Sequence, residues 1–104
     1  MTRLSSLDLE KMSAAQKIVH DKIAAGPRGS VRGPFAKLLV NPAVADSVQA
    51  MGAMLRFEGS LSDRQRELAI LVTARYWTAQ YEWYAHSKIA AEAGIPDTVI
   101  AAIS

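Results

Sequence analysis

Apolar residues recur at helical spacing along almost the whole chain. Leu9, Met12, Val19 and Ile23 fall on one stripe and predict a first helix from about Leu7 to Ala25, stopped by Gly26-Pro27. Residues 26–34 hold three Gly and two Pro, a density that no regular element survives, so they predict a loop. A short apolar helical turn from Phe35 to Val40 follows. Asn41-Pro42 reads as an N-cap with proline at the first helical position, where its missing N–H costs nothing. Val44, Val48, Met51 and Leu55 then repeat at i, i+4, i+7 and i+11 and define a third helix ending near Gly59.

Ser62 with Gln65 three residues on has the capping-box pattern and opens a fourth helix, which carries Leu68, Leu71, Val72 and Arg75 to about Trp77. Thr78 is placed to cap a fifth helix from Ala79 to Ala93, and Gly94 to supply its left-handed C-terminal position. Ile95-Pro96-Asp97 restarts a sixth helix through Val99, Ile100 and Ile103. There is no internal repeat, no low-complexity tract and no convincing strand. The pattern predicts an all-α, single-domain bundle of about six helices over residues 1–104. The last helix is still apolar at Ile103, which predicts either a fragment of a longer protein or a helix that docks on its own core or on a partner subunit.

Length and composition narrow the chemistry. One hundred and four residues make one domain, since halves would be too small to bury stable cores. Half the residues are hydrophobic and 21% are charged, an ordinary globular balance. The absence of cysteine removes disulfides, thiolate metal sites, cysteine nucleophiles and redox dithiols from this sequence. The longest run without a charge, residues 47–55, is far short of the roughly 18 apolar residues that span a bilayer. Arg3, Asp8, Glu10 and Lys11 interrupt any signal-peptide core. A cytoplasmic protein with no membrane partner is expected. The net charge of +2 comes from scattered Lys and Arg, with no basic stripe, so no nucleic-acid partner is expected either.

The residues able to do chemistry concentrate in the C-terminal half. Tyr76, Trp77, Tyr81, Trp83 and Tyr84 form an aromatic cluster that suits a core, an interface or the wall of a pocket. Glu82 and His86 lie four apart on the fifth helix, and their face continues to Ile89, Ala90 and Ala93. Glu67 shares a face of the fourth helix with Ile70, Leu71 and Ala74. Ionisable groups on apolar faces are costly unless they satisfy one another. Three readings follow: a hydrogen-bonded network without chemistry, a proton-transfer site tuned by a carboxylate, or a metal site. The last lacks a third strong nitrogen ligand and any H-E-x-x-H spacing, and no metal is expected. The glycine-rich loop does not cradle phosphate, because Gly33 is followed by Pro34 and not by Lys-Ser/Thr, but Arg28 and Arg32 in it are candidates to grip a carboxylate. His20, between Val19 and Asp21, reads as structural.

The stretch Arg66-Glu67-Leu68-Ala69-Ile70-Leu71, followed by Tyr81-Glu82-Trp83-Tyr84-Ala85-His86 and Ala93-Gly94, resembles the carboxymuconolactone decarboxylase family of the alkylhydroperoxidase-D-like superfamily. Arg32-Gly33-Pro34-Phe35, Leu38-Leu39, Asn41-Pro42 and Leu55-Arg56-Phe57 look like the family's N-terminal half, so the resemblance covers roughly residues 30 to 103. It implies an all-helical fold completed by self-association as a trimer or hexamer. Comparable family members run on for several more helices. In the peroxidase branch a C-x-x-C dithiol is served by a Glu and a His. His86 and Glu67 take those relay positions, but Ala79 and Glu82 stand where the cysteines would be, so thiol peroxidase activity is excluded.

In the decarboxylase branch a Glu at the position of Glu82 is familiar and no cofactor is needed. The resemblance implies a lyase that removes CO2 from a small anionic lactone in aromatic-compound catabolism. Its catalytic residues would be His86 as proton donor, Glu67 as its orienter and Glu82. Arg32 would hold a substrate carboxylate, and Tyr81 or backbone N–H groups near residues 78–80 would serve the oxyanion. Trp77 and Trp83 would wall the pocket. A non-catalytic assembly partner, and a hydrolase or isomerase on the same scaffold, are the alternatives.

Overall fold

The first α-helix begins at a cap and not at the first apolar residue. The computed structural model describes residues 3–5 and 7–104. In it, Ser13 Oγ accepts from the Gln16 N–H, and the Gln16 side chain accepts from the Ser13 N–H. Helix α1 therefore spans Ala14–Ala25, and the preceding segment, expected to be helical from Leu7, makes only a 3-10 turn at Leu9–Lys11. The remaining helices are α2 (Pro34–Leu38), α3 (Pro42–Ala53), α4 (Asp63–Tyr76), α5 (Gln80–Glu92) and α6 (Asp97–Ile103). A π-helical turn, Met54–Glu58, prolongs α3. The described residues contain no strand, so the all-α expectation holds. None of their helices is long and apolar enough to cross a membrane. Backbone contacts divide the chain into two compact units, Met1–Gly59 and Ser60–Ser104.

In the first unit, Val19 and Ile23 of α1 bury against Leu39 and Ala45, and Leu7, Met12, Val31, Phe35 and Leu38 pack around them. Asn41 caps α3 by accepting from the Val44 N–H, with Pro42 at the first helical position. The face α3 buries differs from the apolar stripe read in the sequence. Ala45 and Gln49 are buried, whereas Val44, Met51 and Leu55 are about half exposed. The reason is a polar tie. Lys22 of α1 donates to Asp46 at 2.8 Å, and Gln49 donates to the same carboxylate at 3.0 Å. Those bonds, Lys22 foremost, hold the Asp46 carboxyl below its ordinary pKa. The Gly-rich loop is anchored as well: the Arg28 guanidinium lies 4.3 Å from the Phe35 ring centroid and 6.0 Å from that of Phe57. It comes so near α3 that a Cβ on Gly52 would lie 2.7 Å from it.

In the second unit α4 and α5 form a hairpin closed by α6. Ser62 and Gln65 make the expected capping box. Leu71, Ala90 and Ile95 form the buried centre, with Trp83, Ile100 and Ile103 packed against it. Both long helices end in the same device. At the end of α5, Gly94 takes φ +89°, its N–H reaches the Ala91 carbonyl, and Ile95 N–H reaches that of Ala90. At the end of α4 the matching bonds run from Thr78 N–H to Arg75 and from Ala79 N–H to Ala74. There the left-handed position is held by a β-branched residue, Thr78, at φ +54°. Thr78 therefore terminates α4 and does not cap α5, whose N-cap is Ala79 without a side-chain hydrogen bond.

Three outcomes follow. Replacing Thr78 by glycine should raise stability by about 1 kcal/mol, the cost of a left-handed Cβ. Gly94→Ala should lower stability by a similar amount, both read as shifts of the urea unfolding midpoint. For Asp46, a folded-state pKa below the unfolded one stabilises the protein fully above the ordinary Asp value of about 3.9. That contribution is lost as pH falls through the lowered folded value. Asp46→Asn should therefore flatten the acid limb of the stability-versus-pH curve, measured by urea unfolding at stepped pH.

Candidate active site

The three buried residues of α4, Glu67, Leu71 and Ala74, recur at i, i+4 and i+7, so the face that builds the hairpin core also carries a carboxylate into it. Glu67 is 0% exposed. An unpaired carboxylate there would cost many kcal/mol, and its two oxygens are each given a donor. Oε2 lies 2.6 Å from His86 Nδ1 across the hairpin, and Oε1 accepts from Arg66 Nε at 3.1 Å. Arg66 in turn donates to Asp63 at 3.0 Å. Burial opposes the Arg66 cation, but the hydrogen bonds to Asp63 and Glu67 outweigh it and raise its pKa above the ordinary arginine value.

His86 sits on α5 with 14% of its side chain exposed. With Nδ1–H donated to Glu67, its Nε2 is the free ring nitrogen, and this atom lies 3.5 Å from Glu82 Oε2 one helical turn earlier. The Glu82 side chain is 40% exposed and forms part of the lining of an open apolar groove of about 340 Å³ with Ala69, Ile70, Thr73, Ala74, Trp77 and Ala79. The order from the interior outward is thus Arg66, Glu67, His86, Glu82, groove. Glu82 is the member at solvent, although the spacing puts it on an apolar face of α5. Among the described residues no group of three or more His, Asp and Glu is disposed to hold a metal ion.

The aromatic cluster divides. Trp77 edges the groove while 73% exposed. Trp83 packs on the Leu71–Ala90 core and lines a second cavity of about 140 Å³ with Ala74, Arg75, Thr78, Ala79, Gln80 and Ser104. Tyr81 is about half exposed and lines neither cavity. Tyr76 is 78% exposed and meets Trp77 edge to face, with ring centroids 5.1 Å apart. Tyr84 is exposed and accepts from Lys88, whose hydrogen bond holds its phenol below the ordinary tyrosine value. The cluster is therefore largely a surface and not a core. Arg32 lies in the first unit, exposed in the loop before α2. His20 is partly buried beside the Asp21 carboxylate at 3.0 Å. Sequence reasoning missed Arg66 as the second partner of Glu67. Its available signals were the i, i+3 spacing from Asp63 and the adjacency to a carboxylate on an apolar face.

Comparison with known proteins adds one finding. The sequence pattern of the Carboxymuconolactone decarboxylase family matches residues 42–104, more than half of the chain and all of α3 to α6. No curated protein and no solved structure matches it.

Removing the buried anion should unbalance both of its partners. Glu67→Leu is expected to cost about 3 kcal/mol or more in urea unfolding, the range for breaking one side of a buried charge pair. Adding His86→Leu to that variant should recover part of the loss. Equal midpoints for wild type and Glu67→Leu would show that the pair does not hold the hairpin.

Proposed function

The chain belongs to the carboxymuconolactone decarboxylase family, and on that premise we propose that it is a cofactor-free carboxy-lyase acting on a small anionic lactone of aromatic-compound breakdown. The observation that carries this reading is the buried 2.6 Å contact between His86 Nδ1 and Glu67, linked through Glu82 to an apolar groove. A carboxylate that takes Nδ1–H fixes the imidazole tautomer, so Nε2 is the nitrogen that exchanges protons. In the reaction the bond to the departing carboxylate breaks and its electron pair moves into the unsaturated lactone. CO2 leaves, and the far carbon takes a proton. Glu82, in contact with the groove, delivers that proton; His86 then takes a proton from solvent at Nε2, as an imidazolium stabilised by Glu67, and passes it to Glu82 for the next turnover. The low polarity of the groove suits a step in which a localised carboxylate charge disperses.

The alternative is a non-catalytic assembly partner. Leu68, Val72 and Tyr76, at i, i+4 and i+8 on α4, form an exposed apolar stripe that supports self-association in either reading. Thiol peroxidase activity has no place in it, since Ala79 and Glu82 occupy the dithiol positions of that branch and the sequence has no cysteine.

CO2 release measured across a panel of lactone carboxylates tests the lyase reading. His86→Gln should lower turnover by about a hundredfold to ten-thousandfold, the usual worth of a positioned proton-transfer group, because Glu82 is then no longer reloaded. Sedimentation should report the same folded multimer as wild type. Turnover per folded molecule that survives the substitution would sink the relay. No CO2 release from any member of the panel would favour the assembly role.

A further inference from the structure

We propose that Arg66 is a positioning residue of the relay: it neutralises Glu67, so that His86 releases the proton it takes up. This rests on the lyase reading and deepens it. The question is which cation balances the buried carboxylate. Glu67 is wholly buried, and two groups lie within reach of it: the Arg66 guanidinium, 3.1 Å from Oε1, and the His86 ring, 2.6 Å from Oε2. Arginine is a cation at every working pH, whereas imidazole is one only when protonated. The Arg66 side chain is itself only 12% exposed, so its charge and that of Glu67 compensate each other where water screens them little. Its other partner, Asp63 at 3.0 Å, is 77% exposed and stabilised by solvent. Burial works against the Arg66 cation, and the hydrogen bonds to Asp63 and Glu67 outweigh it.

The consequence falls on the reloading step. With no second cation, a buried carboxylate 2.6 Å from Nδ1 would hold the imidazolium tightly, and a proton taken up at Nε2 would stay there. With Arg66 in place the buried pair is already neutral while His86 is neutral. The extra proton is then held loosely enough to pass to Glu82 Oε2, 3.5 Å away. The other charges facing the ring are few. Helix α4 presents Glu67, with Arg66 and Asp63 behind it, and α5 presents Glu82. Helix α6 has one ionisable side chain, Asp97, exposed at its start. Ser104, just after α6, lies against the cavity of Arg75 and Thr78, about two helical turns along α4 from Glu67. The geometry also asks for arginine and not lysine. Arg66 reaches Glu67 with Nε and Asp63 with Nη1, so one rigid fork serves two carboxylates, where lysine has a single nitrogen for both.

The charge state of His86 can be read without turnover. The pH midpoint of its ring signals is followed by NMR in the full chain, with His20→Asn to assign the two histidines. Arg66→Gln should move the His86 midpoint up by about one pH unit or more, the usual effect of an uncompensated carboxylate beside a titrating group. Arg66→Lys should bring part of that shift back. Arg64→Gln, which removes the same charge from an exposed position of α4, should leave the midpoint nearly unmoved. Asp63→Asn tests the bridge from its exposed end: the Arg66 charge is then undivided, and the His86 midpoint should fall. That variant decides the matter if Arg66→Gln does not fold. An unmoved or lowered midpoint in Arg66→Gln, an equal shift in Arg64→Gln, or an unmoved or raised midpoint in Asp63→Asn would overturn the assignment. The lyase reading fails separately. If lactones release CO2 with the same pH profile of kcat in Arg66→Gln as in wild type, the role of Arg66 is wrong and the lyase stands. If the midpoint follows Arg66 while no lactone releases CO2, Arg66 sets the charge of His86 and the lyase reading is wrong.

Discussion

A carboxylate at zero exposure in a helical hairpin is the constraint on which the second unit depends. Glu67 occupies a position that by periodicity belongs to a leucine, one turn before Leu71 on the same face of α4. Burying it is tolerable only if both oxygens keep donors, which fixes Arg66 on one side and the ring of His86 on the other. Since His86 lies on the neighbouring helix, satisfying Glu67 also sets how α4 and α5 pair. The imidazole is left with one nitrogen committed and the other facing Glu82. An apolar residue at position 67 would relieve the desolvation cost but leave His86 without its orienting partner. The pairing of the two helices and the orientation of the imidazole come from the same placement.

The turn between those helices carries the second constraint. Residues 77–79 must reverse the chain while satisfying the last carbonyls of α4, and the left-handed conformation that does so is taken by threonine where glycine is usual. Glycine does hold the equivalent place after α5. The tight reversal puts Trp77, Ala79 and the start of α5 around the two cavities, and so supplies walls to both. The exposed stripe on α4 shows the other side of this economy: the face turned inward carries Glu67, Leu71 and Ala74, and the apolar residues Leu68, Val72 and Tyr76 remain outside.

The all-α class, the number of α-helices, the capping box at Ser62, the Asn41-Pro42 start and the Gly94 stop were all legible in the sequence, because each rests on interactions within a few residues. The pairing of Glu67 with His86 was legible for a related reason: helical periodicity assigns each to an apolar face, and an ionisable group on such a face demands a partner. Reading by apolar stripe failed on α1 and α3. The Ser13 box, itself local, was hidden under a continuing stripe, and on α3 the Lys22–Asp46–Gln49 tie turned a polar face inward. Which of several helical faces is buried depends on residues distant in sequence, and neither spacing nor composition contains those distances. The same is true of Glu82 at the groove and His86 behind it, and of Trp83 in the core and Tyr81 outside it. The sequence by itself determined which groups had to be satisfied; only the packing of α4 against α5 decided which atoms satisfy them and which remain open to a ligand.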